Sequence, residues 1–146
     1  MSKPANPVET IDTLPDQTMQ RSNTDNAPRS AIHQTLYSAD TFVQHDYLAG
    51  KNLPDIVRPQ EGQINWLHFV GINDVALLKH ALEPYGIHEL VIEDILSRKQ
   101  RPKIEDYGSY VFTAAQVYHY TSTGKLHSDQ VYVIIGKDFV LSFQQK

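Results

Sequence analysis

The final third of the chain constrains the fold most, because it contains three β-prone segments joined by short turns. Tyr110–Tyr120 and residues 126–135 are rich in β-branched and aromatic side chains, and residues 122–125 supply a turn between them. A third such segment, residues 139–143, follows a tight turn at residues 136–138. Consecutive strands with such short connections pair in antiparallel orientation, so the pattern predicts a three-stranded meander.

The middle of the chain predicts one strand followed by two helices. Residues 64–70 carry apolar side chains on both faces, which is typical of an interior strand. The first helix is expected to be capped by Asn73 or Asp74 and to run to about Pro84, with Gly86 placed to end it. The second helix covers residues 88 to about 97, since Pro102 prevents its continuation.

Residues 31–48 alternate apolar and polar side chains, which indicates two short strands around a turn near residues 38–40. Residues 50–62 contain two prolines and two glycines and are predicted to be mainly loop, with one helical turn at residues 53–57. The predicted order is therefore three strands, two helices and three strands. Because helices must cover the apolar faces of a sheet, we expect an α/β fold, an α/β/α layered domain with a mixed sheet that ends in an antiparallel meander.

One domain is expected in the 146 residues. Residues 1–30 consist mostly of Ser, Thr, Asn, Asp, Gln and Pro, and have only a few sizeable apolar side chains. Such a segment buries too little apolar surface to offset the entropy lost on ordering, so it is predicted to be a disordered leader. The folded domain is assigned to residues 31–146.

Composition and motifs exclude several functional classes. The chain has no cysteine, so it has neither disulfides nor thiolate metal ligands. Its 13 basic and 17 acidic side chains give a net charge of −4, which argues against nucleic acid as the main partner. No apolar run approaches the roughly 20 residues of a membrane helix. Phosphate-binding glycine loops and the nucleophile elbow are absent from the sequence, so no enzyme is predicted.

The second predicted helix carries the most informative chemistry. At 100° per residue, its apolar side chains form one arc, while Glu89, Glu93 and Asp94 occupy the remaining face. Glu89 and Glu93 are four residues apart and therefore repel each other, a repulsion that a bound cation would relieve. Carboxylates without cysteine suit hard ions such as Mg²⁺ or Ca²⁺. The alternative is that this acidic face is simply solvated.

Two further groups of polar residues have open interpretations. The four cations in residues 98–103 are flanked by five acids, which favours structural salt pairing over polyanion binding. His119 and His127 flank the predicted turn at residues 122–125 and would face each other across a hairpin. They are either ordinary sheet histidines or a simple transition-metal pair.

Several motifs together resemble the cytoplasmic N-terminal domain of CorA magnesium and cobalt channels. The resemblance begins at residues 64–66 and is most specific in the letters EDIL at residues 93–96 and QRPKIEDYG at residues 100–108. It implies a homopentamer at the cytoplasmic face of a membrane, whose soluble domains sense divalent cations and regulate a two-helix pore. Carried over onto this sequence, the metal-binding positions are Glu93 and Asp94, with weak regulatory Mg²⁺ and possible Co²⁺ or Ca²⁺ as ligands.

The chain also departs from that family. Glu89 stands where many relatives have proline, and the stalk helix, the membrane spans and their Gly-Met-Asn signature do not occur in this sequence. Two other functions therefore stay open. The domain could be a non-catalytic protein-interaction module of the same fold, or the equivalent domain of a related zinc transporter.

Overall fold

The computed structural model describes residues 30–145. The predicted leader, residues 1–30, lies outside this range except for Ser30. That residue belongs to the folded domain, because its side chain is buried and its hydroxyl donates a hydrogen bond to the carbonyl of Gly71. Its own carbonyl accepts a hydrogen bond from the N–H of Ala49 at 2.8 Å. The ordered domain therefore includes at least one residue of the segment predicted to be disordered.

Seven strands form a single mixed sheet in the described residues. The elements are β1 Ala31–Tyr37, β2 Phe42–Leu48, β3 Ile64–Val70, α1 Val75–Leu82, α2 Glu89–Ser97, β4 Lys103–Asp106, β5 Tyr110–Tyr120, β6 Leu126–Gly136 and β7 Phe139–Gln144. The strand order is β2-β1-β3-β7-β6-β5-β4, and only the β3–β7 pair is parallel. The mixed sheet and the meander of β5, β6 and β7 confirm the sequence prediction.

Helix α1 has the predicted boundaries at both ends. The side chain of Asp74 caps it by accepting a hydrogen bond from the N–H of Leu77 at 2.9 Å. A 3₁₀ turn, Glu83–Tyr85, follows directly and ends at Gly86, which is in the left-handed conformation (φ 60°). Glycine suits that position because it has no side chain to clash there.

The core lies between the two helices and one face of the sheet. A row of directly paired residues crosses this face from β3 to β5, namely Leu67, Leu141, Ile134 and Phe112, and each of them is fully buried. Leu78 and Val91, from α1 and α2 respectively, belong to the same buried cluster. The opposite face carries Trp66, whose side chain is 44% exposed. The α/β class is confirmed, and both helices of the described chain cover the same face.

Two local predictions were wrong. Lys103–Asp106 forms the additional strand β4, which was missed because four residues with a single apolar side chain give too weak a pattern. The helical turn expected at residues 53–57 does not form. The predicted end of helix α2 near residue 97 is confirmed, and the helix stops there because Arg98 adopts a left-handed conformation (φ 57°) that turns the chain towards β4.

Neither helix of residues 30–145 is long and apolar enough to cross a membrane.

Candidate cation site at the corner between α2 and β4

Helix α2 is fixed against the sheet at its first turn. His88 caps the helix through its ring nitrogen Nδ1, which accepts a hydrogen bond from the N–H of Leu90 at 3.2 Å. The N–H of His88 itself donates to the hydroxyl of Tyr110 on β5 at 2.9 Å. Val91 and Ile95 are fully buried, as the predicted apolar arc requires. These contacts set the rotation of the helix and hence the directions of its acidic side chains.

Asp94 lies at the centre of a hydrogen-bonded group that we call the corner cluster, defined as Asp94, Gln100, Lys103 and Glu105. Its oxygen Oδ2 is 2.7 Å from Nζ of Lys103, and its oxygen Oδ1 accepts a hydrogen bond from Nε2 of Gln100 at 2.9 Å. Lys103 Nζ also lies 3.0 Å from Oε1 of Glu105. The corner cluster therefore uses both carboxylate oxygens of Asp94.

The ammonium of Lys103 interacts with two carboxylates and one aromatic ring. Its hydrogen bond to Asp94, reinforced by Glu105, raises the pKa of the Lys103 ammonium above its ordinary value. The ammonium also lies 5.5 Å from the ring centre of Phe112, within range of a cation–π attraction. The salt pairing predicted for the cations of residues 98–103 is confirmed for Lys103.

Glu93, the other predicted ligand, is in a different environment. Its side chain is exposed and, within residues 30–145, has no hydrogen-bonding or ionic partner. Glu89 is exposed as well and lies 4.0 Å from the ammonium of Lys79. The two predicted metal ligands are thus adjacent in sequence, but one carboxylate is free and the other already holds a cation.

A buried hydroxyl close to the corner cluster was not predicted from the sequence. Tyr132 is fully buried and pairs with Ala114, which in turn pairs with Lys103. Within residues 30–145 its hydroxyl has no hydrogen-bonding partner. Burial, with a further contribution from the negative charge of Asp94, raises the pKa of Tyr132 to about 12. A single tyrosine in an apolar strand carries no sequence signal of such an environment.

The chemistry of the corner suits a hard cation, although its ligands are few. Carboxylate and amide oxygens are the ligands that Mg²⁺ and Ca²⁺ prefer. Residues 30–145 contain no group of three or more His, Asp or Glu side chains arranged to hold a metal ion. A divalent ion at Asp94 would have to displace Lys103 and would need water or further protein groups to complete its coordination.

Comparisons with known proteins relate the chain to metal transporters. A family model described as CorA-like Mg²⁺ transporter protein matches residues 61–146. The cobalt/magnesium transport protein CorA of Thermotoga maritima is 40% identical over 82 residues, which are 56% of this chain and 23% of that protein. The protein YfjQ of Bacillus subtilis is 34% identical over 107 residues, 70% of this chain and 31% of that protein.

Two solved structures share the fold at low sequence identity. The CorA magnesium transporter of Methanocaldococcus jannaschii has a TM-score of 0.56 at 11% identity, covering 77% of this chain and 31% of that one. The full-length CmaX protein has a TM-score of 0.53 at 14% identity, covering 81% of this chain and 36% of that one. The chain therefore spans between about a quarter and about a third of the length of the proteins it resembles.

Proposed function

This chain belongs to the CorA-like Mg²⁺ transporter family, and from that premise we propose that its domain is the cytoplasmic, cation-sensing part of a divalent-cation channel. In this proposal the channel is a homopentamer in the inner or plasma membrane, and it transports Mg²⁺ or Co²⁺. The domain regulates the pore and performs no catalysis. The names of the relatives support the ion class, and the carboxylates of Glu93 and Asp94 on α2 support the sensing role.

The observation that carries the proposal is that Asp94 already binds a cation. Lys103 Nζ lies 2.7 Å from the Asp94 carboxylate, and Glu93 presents a free carboxylate at the next position of the same helix. A divalent ion at this place would supply two positive charges to the carboxylates, where the lysine supplies one. We therefore propose that Mg²⁺ competes with the Lys103 ammonium for Asp94, with Glu93 as the second carboxylate.

This competition makes the site weak, which suits a sensor of an abundant ion. Displacing Lys103 costs its hydrogen bond to Asp94, and Mg²⁺ gives up its bound water reluctantly. The sensor would then respond only when the concentration of free Mg²⁺ is high. Between neighbouring subunits, unoccupied acidic surfaces would repel each other over about 8 to 10 Å, the screening length at physiological salt. Occupancy by Mg²⁺ would remove that repulsion and favour the assembled, closed channel.

A titration of the chain with MgCl₂ at constant ionic strength, followed by backbone amide NMR, tests the proposal. We expect saturable shifts centred on α2 and β4, and we expect the double substitution E93Q/D94N to abolish them. The matched control is E83Q, which neutralises an exposed carboxylate in the 3₁₀ turn after α1. Saturable shifts that persist in E93Q/D94N would contradict the proposed site.

A second candidate function is a protein-interaction module without ion sensing. One observation favours it: both oxygens of Asp94 are already satisfied within the corner cluster. On this alternative, charged surfaces would serve complementarity to a partner protein. The same titration would then give only small, diffuse shifts that NaCl of equal ionic strength reproduces.

A further inference from the structure

The hairpin formed by β5 and β6 extends beyond the rest of the sheet. Strand β4 pairs with β5 only as far as Ala114, and β7 pairs with β6 only from Val131 onward. The remaining residues, 115–120 and 126–130, form a two-stranded arm without a third strand among residues 30–145. Side chains on this arm are therefore more accessible than those on the strands within the sheet.

Two histidines are paired on this arm. His119 on β5 is directly opposite His127 on β6, and their ring centres are 5.3 Å apart with the planes at 67°. About half of each side chain is exposed. Because side chains two residues apart lie on the same face of a strand, Asp129 shares the face of His127.

Asp129 contacts one nitrogen of each ring. Its oxygen Oδ2 is 3.6 Å from Nδ1 of His119, and its oxygen Oδ1 is 3.4 Å from Nε2 of His127. The other nitrogen of each ring has no hydrogen-bonding partner within residues 30–145. Both contacts are longer than an ordinary hydrogen bond, so the Asp129 carboxylate lies beside one nitrogen of each ring and leaves the other nitrogen accessible.

We propose that His119 and His127 bind a single late transition-metal ion, with Zn²⁺ as the representative, through the two ring nitrogens that Asp129 leaves free. Imidazole is a preferred ligand of Zn²⁺, Cu²⁺ and Ni²⁺ and a poor one for Mg²⁺. In protein metal sites the second nitrogen of a ligating histidine typically donates its hydrogen to a carboxylate. Asp129 would take this role in the metal-bound form, with its contacts of 3.4 and 3.6 Å shortened to hydrogen bonds. We call this arrangement the histidine clip, defined as His119, His127 and Asp129.

The histidine clip has two protein ligands, and water completes the coordination of the metal. This count agrees with the lack of any three-residue metal group in residues 30–145.

A second pair of opposed histidines in the described residues shows which geometry is unsuitable for binding a metal ion. His33 and His68 face each other across β1 and β3, but their rings are stacked at 6.2 Å with only 25° between the planes.

Nitrogen lone pairs lie in the plane of the imidazole ring. Two stacked rings therefore direct their lone pairs along parallel planes, away from any common point, whereas the inclined rings of His119 and His127 do not have this restriction. In addition, Nδ1 of His33 is 2.6 Å from Asp46, and Nδ1 of His68 is 2.8 Å from the hydroxyl of Ser142. His33 and His68 thus provide an internal comparison for the histidine clip.

The experiment is a titration of the chain with ZnCl₂, followed by long-range ¹H–¹⁵N NMR of the imidazole rings. Zn²⁺ is diamagnetic, and this spectrum identifies which ring nitrogen binds the metal. We expect one nitrogen of His119 and one of His127 to shift together and to saturate at one equivalent of metal, with the His33 and His68 signals unchanged. Shifts confined to other histidines, or no saturable shift, would overturn the proposal.

Substitutions give the second test, with affinity measured by calorimetry. H119Q and H127Q should each remove the saturable binding, while H33Q, which alters an equally exposed histidine on β1, should leave it unchanged. D129N should weaken binding roughly 10- to 100-fold, as loss of an outer carboxylate does in metal sites. Circular dichroism confirms that each variant is folded. Unchanged affinity in H119Q and H127Q would overturn the proposal.

Discussion

The corner cluster and the histidine clip each place one carboxylate between two partners, and the two carboxylates are almost equally accessible. The side chain of Asp94 is 24% exposed and that of Asp129 is 21% exposed. At the corner, the partners are a lysine at 2.7 Å and a glutamine amide at 2.9 Å. At the clip, they are two histidines at 3.4 and 3.6 Å. The two carboxylates are thus equally buried, but Asp94 makes short hydrogen bonds to its partners, whereas Asp129 makes only longer contacts.

This difference determines what each site has to do in order to bind an ion. In the corner cluster both carboxylate oxygens of Asp94 already have protein partners, so any metal ion at Asp94 competes with the Lys103 ammonium. The histidine clip has ring nitrogens without a partner in the described residues, so a metal ion would displace only water. On our two proposals, the corner would therefore bind a hard ion weakly and reversibly, and the clip would coordinate a softer ion directly.

The largest effect that we predict is on stability. D94A should lower the free energy of unfolding by about 2 kcal/mol, because it removes two hydrogen bonds, one of them to a charged and partly buried group. D129A should change it by less than about 0.5 kcal/mol, since its long contacts lie on an exposed arm. Urea denaturation of both variants measures the difference. Equal losses in the two variants would show that the corner cluster is no more than a surface ion pair.

The second prediction concerns competition at Asp94. K103M should tighten Mg²⁺ binding up to about fivefold, corresponding to about 1 kcal/mol, because the competing ammonium is gone. The control is K99M, which removes an equal charge from an exposed side chain nearby. Calorimetric titration with MgCl₂ gives both affinities. If K99M and K103M tighten binding equally, only the overall charge matters, and the competition proposal fails.

The third prediction concerns the hydroxyl of Tyr132 near the corner. Y132F should leave stability unchanged or raise it by about 1 kcal/mol, because it removes a buried polar group without a partner in the described residues. Y110F is the matched control and should be destabilising by about 1 kcal/mol, since that hydroxyl accepts the hydrogen bond from the N–H of His88. Thermal unfolding compares the two. A clear loss of stability in Y132F would mean that its hydroxyl has a hydrogen-bonding partner in solution.

The last predicted effect is absent near neutral pH and appears only as a change in alkaline stability. The pKa of Tyr132 is raised from 10.0 to about 12 in the folded chain, so between these values the unfolded chain loses a proton that the folded chain keeps. The resulting contribution to stability is complete below pH 10 and is lost as pH rises towards 12. The free energy of unfolding, measured by denaturation at several pH values between 10 and 12, should fall less steeply with pH for Y132F than for the unaltered chain. Identical slopes would indicate an ordinary pKa for Tyr132.

The local patterns of the sequence predicted helix α2 and the hairpin well. The apolar arc that includes Val91 and Ile95 is buried, the helix begins after His88, and His119 is opposite His127. Each of these depends on spacing within one element or across one short turn, where the 3.6-residue and two-residue periods hold. For the same reason, the exposed position of Glu93 could be predicted from the helix pattern.

Features that leave no periodic signal in the sequence were not predicted. Strand β4 is only four residues long and is stabilised by pairing with β5, and the parallel pairing of β3 with β7 joins segments about 70 residues apart. Salt pairing of the cations in residues 98–103 was predicted, but the choice of Asp94 as the partner of Lys103 was not, because the left-handed turn at Arg98 between them has no periodic signal. The metal-binding roles of Glu93 and Asp94 stay a prediction, and the structure adds the lysine that a metal ion would have to displace.

The central claim is that Mg²⁺ and the Lys103 ammonium compete for Asp94, and the pKa of Lys103 is its most direct measure. The hydrogen bond to Asp94 raises this pKa in the metal-free chain. A pH titration of the Lys103 side-chain carbon signals by NMR, with and without saturating MgCl₂, should show the pKa falling towards its ordinary value when Mg²⁺ is present. An unchanged Lys103 pKa under conditions where Mg²⁺ binds would contradict the claim.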